Sequence, residues 1–325
     1  MTNEKTMRAA VRTTYGSPDT VRIEQRERPV PGGGELLVRV RATTVNRTDC
    51  GYRAGKPLVI RLFSGFPRPK VPVLGTEFAG EVEAVGANVT TFTVGDRVCG
   101  YCEGTFGAHA EYMTVTAERL IARIPEGRTF EEAAPSTEGS HYALGILRAA
   151  KMRAGQSVMV YGASGAIGSA AVQIARSMGI KVTAVCPSQH LELLKGLGAD
   201  KVVDYLTTDF TNDEQEYDLV MDAVGKSSFR ACHRLLKRHG IYMSVEPGFL
   251  VQNLILALVS PLFRGRRVIF PLPRRDPEAI KYLQGLIESG EFRPVVDRVY
   301  PLDEIAEAYR YAETGQKVGN IVVAV

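Results

Sequence analysis

The stretch SVMVYGASGAIGSAAVQIARSMG (157–179) decides the fold. An apolar run that reads as a strand leads into three glycines spaced three apart, and apolar residues at helical spacing follow. In a dinucleotide-binding unit, such glycines allow a tight turn, a close approach of the pyrophosphate and close packing of helix on strand. The alternative is a close-packed structural bend. For the nucleotide-binding turn, the predicted contacts are Gly162, Ser164, Gly165, Ala166, Ile167 and Gly168.

Strand-like and helix-like segments alternate after this stretch. The predicted strands are KVTAV (181–185), KVVDY (201–205), YDLVMDAVG (217–225) and IYMSV (241–245), and the predicted helices are LELLKGLGA (191–199) and SSFRACHRLLKRHG (227–240). Alternation at this spacing predicts an α/β fold with a doubly wound parallel sheet, that is, a Rossmann domain. It therefore favours nucleotide binding over the bend.

The remainder of the chain has a different pattern. The first 125 residues are short β-rich runs separated by glycine and proline turns, and the tail has two amphipathic helices and a final strand, NIVVAV (320–325). We expect three segments: a β-rich domain over 1–126, the Rossmann domain over 127–265 and a return segment over 266–325.

The end of the second strand of the Rossmann domain bears on which coenzyme binds. An acidic residue there holds the ribose 2′-hydroxyl of NAD, but this strand ends at Cys186 and continues as PSQH. The lack of a carboxylate favours NADP(H), while NAD(H) stays possible because the loop has no arginine. The predicted coenzyme contacts here are Cys186, Ser188, His190 and Tyr205.

Composition narrows the class of protein. A net charge of +4 over 325 residues gives no argument for nucleic acid. Five irregularly spaced cysteines and an N-terminus without an apolar signal segment predict a reducing, cytoplasmic location. The longest apolar stretch, 250–263, is too short to span a bilayer. A basic segment holds Arg264, Arg266, Arg267, Arg274 and Arg275, and is either a solvated face or a phosphate or partner contact.

Several motifs resemble those of the medium-chain dehydrogenase/reductase superfamily. They are VNRTDCGYRAG (45–55), PVLGTEFAGEVEAVGANVTTFTVGDRV (72–98), GAHAEYMTV (107–115), the glycine stretch, GADKVVDY (198–205) and GQKVGNIVVAV (315–325). The resemblance implies a Rossmann domain inserted into a GroES-like β-rich catalytic domain, an active site in the cleft, and a dimer. In the closing motif we also predict Asn320 as a coenzyme contact.

The zinc ligands of one branch of that superfamily are missing from this sequence. Where that branch has a cysteine and a histidine, this chain has Asn46 and Thr76, the segment STEGSHY (136–142) holds no cysteine, and only Glu77 keeps its type. An amide and a hydroxyl are poor zinc ligands. A lone Cys99-x-x-Cys102 does not make a structural zinc lobe. The chain therefore resembles the zinc-free quinone oxidoreductases and 2-alkenal reductases, and we expect no bound metal.

Five residues are candidates for catalysis in the absence of a metal. Asn46 is the first, as a hydrogen-bond donor to the acceptor oxygen, with a turn-stabilising role as the alternative. Asp49 would orient Asn46 or pair with Arg53, and Tyr52 would donate a proton or pack as a plain aromatic. Glu138 and His141 are included by analogy with the third-ligand region, where His141 could instead cap a helix and Thr76 and Glu77 could pin the loop.

Together with the resemblance, which implies the class of acceptor, these patterns predict a zinc-independent oxidoreductase that transfers a hydride from NADPH to a quinone or an α,β-unsaturated carbonyl compound. The expected partner is that small-molecule acceptor, with no nucleic acid and no membrane span, and the expected assembly is a homodimer. Two rival interpretations stay open: an alcohol dehydrogenase with another metal arrangement, and a coenzyme-binding sensor or structural protein with little turnover.

Overall fold

The computed structural model describes residues 5–248, 251–260, 265–270 and 276–325. In it, a β-rich part of the chain is followed by a part in which strands and helices alternate. The strands are β1 (Thr6–Arg12), β2 (Val21–Glu27), β3 (Glu35–Val45), β4 (Glu77–Val85), β5 (Arg97–Tyr101), β6 (Tyr112–Thr116), β7 (Leu120–Arg123), β8 (Ser157–Tyr161), β9 (Lys181–Cys186), β10 (Lys201–Asp204), β11 (Tyr217–Asp222), β12 (Leu236–Ser244), β13 (Arg267–Ile269), β14 (Val296–Pro301) and β15 (Asn320–Ala324).

Helices fill the connections between these strands. They are α1 (Arg47–Ala54), α2 (Ile60–Ser64), α3 (Phe130–Ala133), α4 (Glu138–Ala149), α5 (Ala166–Ser177), α6 (Leu191–Gly196), α7 (Phe229–Cys232), α8 (Gln252–Val259), α9 (Pro277–Glu288) and α10 (Ile305–Glu313). Among the described helices, none combines the length and the apolar character that crossing a bilayer would require.

Contacts divide the chain into two compact units. The first consists of Met1–Glu138, Arg275–Gln284 and Pro294–Val325, and the second of Gly139–Arg274 and Gly285–Arg293. The first unit is thus discontinuous in sequence. The domain limits at residues 126 and 265 stay predictions.

The second unit contains the predicted doubly wound parallel sheet. Its strand order is β10-β9-β8-β11-β12-β13, and every neighbouring pair is parallel. Numbered from the first strand of the sheet, this is the order 3-2-1-4-5-6 of a dinucleotide-binding fold. The central strand β8 is apolar on both faces, because Val158, Met159 and Val160 are all fully buried. The fold prediction for this half is confirmed.

The first unit is built on a largely antiparallel sheet. In its described part the order is β14-β15-β3-β4-β5-β7, with β6 also pairing with β3, and β1 and β2 form a separate antiparallel pair. The long central strand β3 packs Leu36, Val38 and Val40 into a core that includes Phe78 and Val98. Since β3 ends at Val45, it delivers Asn46 to the point where α1 begins.

One predicted helix is largely wrong. The helix predicted over residues 227–240 is limited to α7 and a short 3₁₀ turn, and from Leu236 the chain is already in strand β12. Leu235 and Leu236 are fully buried, and Leu236 pairs with Tyr217 of β11. Pairing and burial in the sheet therefore override the local helical preference of this segment.

Candidate functional site

The N-terminus of α1 fixes the first candidate residue. Asn46 is the N-cap: its Oδ1 accepts a hydrogen bond from the Asp49 N–H at 2.9 Å, while the Asp49 carboxylate accepts one from the Asn46 N–H at 3.2 Å. This reciprocal pair is a capping box. Asp49 also accepts the Gly75 N–H at 3.1 Å, which ties α1 to the loop before β4. The turn-stabilising role of Asn46 is therefore present in the structure.

The side-chain amide of Asn46 has a second task. Its Nδ2 donates to Thr76 Oγ1 at 2.6 Å and to the Glu138 carboxylate. The Thr76 hydroxyl donates to Glu138 Oε2 at 2.9 Å, and the Thr48 hydroxyl donates to Glu138 Oε1 at 2.7 Å. We call Asn46, Thr48, Thr76 and Glu138 the Glu138 cluster. Both amide hydrogens of Asn46 are used within it, and Thr48 is its one half-buried member.

Glu77 holds the backbone beneath the Glu138 cluster. Its Oε1 accepts the N–H of Glu138 at 2.6 Å and both the N–H and the hydroxyl of Thr137, at 3.2 and 2.9 Å. Its Oε2 accepts the Thr44 hydroxyl at 2.8 Å. The sequence allowed Thr76 and Glu77 to hold the loop in place. The contacts match this role for Glu77, since it anchors the start of α4.

Burial governs the ionisation of the acidic groups here. It raises the pKa of Glu138 well above the usual range, and the negative charges of Glu77 and Asp49 act in the same direction. Burial also raises the pKa of Glu77, and it raises that of Asp49 to about 8. Glu138 is therefore a carboxyl group that holds its proton to an unusually high pH, and it lies beside the half-buried residue Thr48.

Arg53 takes no part in an ion pair with Asp49. The guanidinium of Arg53 is directed to the Glu313 carboxylate and to the carbonyl oxygen of Gly16. It also lies over the Tyr309 ring, 5.3 Å from its centroid. Of the two roles considered for Asp49, the contacts match the one toward Asn46.

The rings of Tyr52 and His141 each contact another aromatic ring. The Tyr52 ring packs against Phe106 at 4.6 Å between centroids, and burial raises its pKa. These contacts match the plain aromatic alternative. His141 lies one turn after Glu138 on α4, where its ring meets Tyr142 edge-on at 6.3 Å.

The residues at the former metal positions do not fit zinc. Asn46 and Thr76 offer an amide and a hydroxyl that are engaged with each other and with Glu138, whereas zinc sites use thiolate, imidazole and carboxylate ligands. Within the described ranges, no group of three such side chains could hold a metal. Cys99 and Cys102 are buried, with their thiols toward Ser136 and the Gly75 carbonyl, and burial raises both pKa values.

The glycine turn of the second unit has the shape that a pyrophosphate requires. Gly162 follows β8 with φ +77°, and a Cβ there would lie 2.5 Å from Val224; a Cβ on Gly168 would lie 2.3 Å from the Gly162 oxygen. A Cβ on Gly165, the N-cap of α5, would meet nothing closer than 3.5 Å. Two glycines are thus required by packing, and the third leaves room before the helix. Ser164, Ala166 and Ile167 are half-buried at this N-terminus, where N–H groups favour an anion.

A carboxylate lies next to the end of β9 after all. Cys186 is buried and pairs in register with Asp204, the last residue of the neighbouring parallel strand β10. Ser188 Oγ donates to Asp204 Oδ2 at 2.5 Å, and that bond and the Leu206 N–H keep the pKa of Asp204 below its usual range. The lack of a carboxylate at the end of β9, which favoured NADP(H), therefore holds along the sequence, but in the sheet the carboxylate of Asp204 lies on the neighbouring strand.

The remaining predicted coenzyme contacts belong to different elements of the two units. Tyr205 follows Asp204, is 41 % exposed and meets Tyr161 edge-on at 6.1 Å. His190 precedes α6 and is half-buried. Asn320 belongs to the first unit, where it is buried and its Nδ2 donates to the Val295 oxygen at 3.0 Å.

The basic segment is described only in part. Arg266 donates to the Leu236 oxygen and pairs with Glu216 at 3.1 Å, so it has a structural contact. Arg267 is exposed on β13. Arg264, Arg274 and Arg275 lie outside the described residues.

Two residues with candidate roles were missed by sequence reasoning. Thr48 stands in the quoted motif VNRTDC, one residue before Asp49, and its hydroxyl is the kind of group that a search for donors should include. Asp204 could have been found by noting that neighbouring parallel strands end at the same edge of a sheet.

Comparisons with known proteins agree with both units. The alcohol dehydrogenase GroES-like domain family matches residues 32–126, and the zinc-binding dehydrogenase family matches residues 197–323. A 2-methylene-furan-3-one reductase of Solanum lycopersicum is 32 % identical over 98 % of this chain and 79 % of its own length. The chloroplastic NADPH-dependent alkenal/one oxidoreductase of Arabidopsis thaliana is 31 % identical over 98 % and 80 %.

A solved structure leads to the same family. The quinone oxidoreductase from Coxiella burnetii matches with a TM-score of 0.89 at 26 % identity, covering 99 % of this chain and 100 % of that one. The prediction of a GroES-like β-rich domain beside a Rossmann domain is confirmed. Because the matches span nearly the whole chain and share both folds, the chain belongs to the medium-chain dehydrogenase/reductase superfamily, in the branch of the quinone and alkenal/one oxidoreductases.

Proposed function

We propose that this protein is an NAD(P)H-dependent reductase of quinones or α,β-unsaturated carbonyl compounds and that it works without zinc. The observation that carries the proposal is the Glu138 cluster: Asn46, Thr76 and Glu138 hydrogen-bond to one another where the zinc-dependent branch would hold its metal. The glycine turn supports the coenzyme, and the names of the related reductases support the two classes of acceptor.

The chemistry needs a hydride and a proton. When bound, a reduced nicotinamide supplies the hydride, and negative charge then develops on the oxygen of the acceptor. We propose that Thr48 donates the hydrogen bond to that oxygen, because Thr48 is half-buried whereas the other members of the Glu138 cluster are buried. In the neutral state the carboxyl proton of Glu138 would lie on Oε1 and be donated to Thr48 Oγ1 across the contact between the two side chains, which leaves the Thr48 hydroxyl hydrogen free for the acceptor. As the Thr48 hydroxyl proton moves to the acceptor, the Glu138 proton replaces it on Thr48.

The surroundings of Glu138 suit that transfer. Burial favours the protonated carboxyl before the reaction. Once the proton has left, the amide of Asn46 and the hydroxyl of Thr76 donate to the carboxylate that remains. Asn46, our first candidate from the sequence, is thus proposed as a positioning residue. For Asp49 we propose a supporting role through the α1 cap, while Tyr52 and His141 stay predictions without an assigned step.

For the coenzyme we propose NADPH in preference to NADH. Ser188, His190 and Tyr205 offer polar partners near the end of β9, and the Arabidopsis relative is named NADPH-dependent. Asp204 works against a 2′-phosphate, but its two oxygens already accept the Ser188 hydroxyl and the Leu206 N–H. Because these two hydrogen bonds partly satisfy the Asp204 carboxylate, we expect them to weaken its repulsion of a 2′-phosphate without removing it.

Location and assembly are further parts of the proposal. All five cysteines are free thiols, which fits a reducing compartment such as the cytoplasm. The proposed homodimer rests on the superfamily resemblance.

The test is NADPH and NADH oxidation by purified, chelator-treated protein with a panel of quinones and enones. We expect turnover to persist after the chelator. Wild-type activity should decline as pH rises through the raised pKa of Glu138, and Glu138→Gln should lose both most of the activity and that pH dependence. Activity that returns only on addition of Zn²⁺ would support the metal-dependent rival. Coenzyme binding without oxidation by any acceptor would support the sensor.

A further inference from the structure

An apolar surface lies around α2 in the first unit. Large apolar side chains are displayed here within nine consecutive positions, 58–66, which is unusual for a water-facing segment. We call these five side chains the α2 patch. They are Leu58 (70 % exposed), Val59 (52 %), Leu62 (76 %), Phe63 (78 %) and Phe66 (77 %).

The polarity of α2 is inverted because its polar side chains point inward. The Arg61 guanidinium lies 4.7 Å from the centroid of the Tyr15 ring, and its Nε donates to the Gly55 oxygen at 3.2 Å. Ser64 is buried, and the Tyr15 hydroxyl bonds to the Gly65 oxygen and to Ser64 Oγ, each at 2.7 Å. These anchors fix the α2 patch toward solvent.

Charge along the segment that carries the α2 patch has a single sign. Residues 50–76 contain five basic side chains and no acidic one. Arg53 is buried against Glu313, and Arg61 is held at Tyr15. Lys56, Arg68 and Lys70 are exposed and flank the α2 patch in sequence. The segment thus presents apolar side chains between exposed cations, and its complement is apolar and anionic.

We propose that the α2 patch docks this protein on a lipid surface that carries anionic headgroups. Apolar side chains would enter the boundary of the acyl chains while the cations meet the headgroups. A second copy of the chain is a poorer fit, because a stable protein interface takes about 20–30 residues from each side, whereas the α2 patch has five. Docking does not depend on the proposed reaction, although apolar quinones would be dissolved in the same surface.

The direct test is co-sedimentation with vesicles. We expect binding to vesicles of phosphatidylcholine and phosphatidylglycerol in equal parts, weaker binding as salt is raised, and no binding to phosphatidylcholine alone. The double variant Leu62→Ser/Phe63→Ser should lower the partition coefficient by about tenfold or more. Arg68→Glu/Lys70→Glu should lower it by a similar factor. Matched controls at exposed positions elsewhere are Val30→Ser and Arg153→Glu, which should bind as wild type does.

A gain-of-signal measurement guards against variants that fail to fold. The chain contains no tryptophan, so Phe63→Trp introduces a single reporter. Its emission should shift to the blue and be quenched by brominated lipids in the anionic vesicles, whereas that of Val30→Trp should not. The proposal is overturned if wild type does not bind these vesicles or if the Phe63→Trp emission is unchanged. It is also overturned if Leu62→Ser/Phe63→Ser abolishes self-association or raises KM for the acceptor while vesicle binding stays at the wild-type level.

Discussion

The amide of Asn46 and the carboxyl group of Glu138, 92 residues apart in sequence, are joined by a hydrogen bond in a buried cluster. The same amide also donates to Thr76, and its oxygen caps α1. A residue that stands where a metal ligand would be thus serves as a structural cap and as a support for a carboxyl group. One amide and one hydroxyl thus donate hydrogen bonds to Glu138, at a place where a cation would otherwise contact it.

Thr48 gives the first prediction. Because its hydroxyl links Glu138 to the half-buried side of the cluster, Thr48→Ala should lower kcat by about a hundredfold or more, the usual contribution of a positioned acid. Coenzyme affinity should change little. Thr48→Ser keeps the hydroxyl and should recover most of the loss. Steady-state oxidation of NADPH with one quinone and one enone measures both variants, and equal kcat for Thr48→Ala and wild type would remove Thr48 from the proton path.

Local pattern was sufficient for much of the fold but not for the site. The order of strand, glycine turn and helix at 157–177 follows from short-range periodicity, and the structure has it in place. The use of Asn46 could not be read in the same way, because a capping asparagine and a substrate-binding asparagine look alike in sequence. The deciding contacts come from Thr76 and Glu138, which only the tertiary fold brings near.

Asp204 shows the same limit in the second unit. Sequence reasoning looked for a carboxylate only at the end of β9, where Cys186 stands, and took Tyr205 but not Asp204 from the end of the next strand. Parallel pairing places Cys186 and Asp204 in register, so a charge that is distant along the chain belongs to the same edge of the sheet. The neighbours of a position in a sheet, and not its neighbours in sequence, determine its electrostatic surroundings.

The second prediction concerns coenzyme preference. Asp204→Asn removes a negative charge beside Ser188 while keeping an oxygen that can accept the Ser188 hydroxyl. The ratio of kcat/KM for NADPH to that for NADH should rise on the order of fivefold, since a 2′-phosphate would meet less repulsion at this exposed site. The control is Asp200→Asn, which removes a carboxylate just before β10, at the opposite end of that strand. An equal change in both variants, or no change in Asp204→Asn, would contradict the assignment.

The third prediction restores a metal. Asn46, Thr76 and Glu138 converge within hydrogen-bond distance, so Asn46→Cys/Thr76→His should place a thiolate, an imidazole and a carboxylate around one point. Three such ligands and a water make a zinc site. Elemental analysis after dialysis against Zn²⁺ should find one zinc per chain in the double variant and none in wild type or in Thr76→His alone.

Glu138 provides the control for that metal site. Adding Glu138→Ala to the double variant should weaken zinc binding, because it removes the third ligand. Loss of the Asn46 cap should also lower the free energy of unfolding of the metal-free double variant by about 1 kcal/mol, and zinc should reverse this loss. Zinc bound with the same affinity with and without Glu138 would show that the three positions do not meet around one ion.

The fourth prediction is a pH dependence of stability that originates in Asp49. Burial raises its pKa to about 8, compared with about 3.9 in an unfolded chain. Over this range the folded chain keeps a proton that the unfolded chain has released, so rising pH favours unfolding. Buried His109 affects stability only at lower pH. Its pKa is lowered to about 4, so the free energy of unfolding falls as pH drops below about 6.5, the pKa of an unfolded histidine. Above that value His109 adds no pH dependence.

In urea unfolding at several pH values between about 6.5 and 8, the difference between wild type and Asp49→Asn separates the Asp49 contribution from those of Glu77 and Glu138, whose pKa values are also raised. The free energy of unfolding of wild type should fall more steeply with pH than that of Asp49→Asn, by up to about 1.4 kcal/mol per pH unit, the value for one proton. Asp49→Asn should be the less stable protein at the acid end of this window, because an asparagine offers one acceptor where Asp49 accepts from both Asn46 and Gly75. Asp303→Asn, at an exposed aspartate, is the matched control. Parallel stability curves for wild type and Asp49→Asn would show that Asp49 is ionised in the folded chain, held as a carboxylate by the two N–H groups that it accepts.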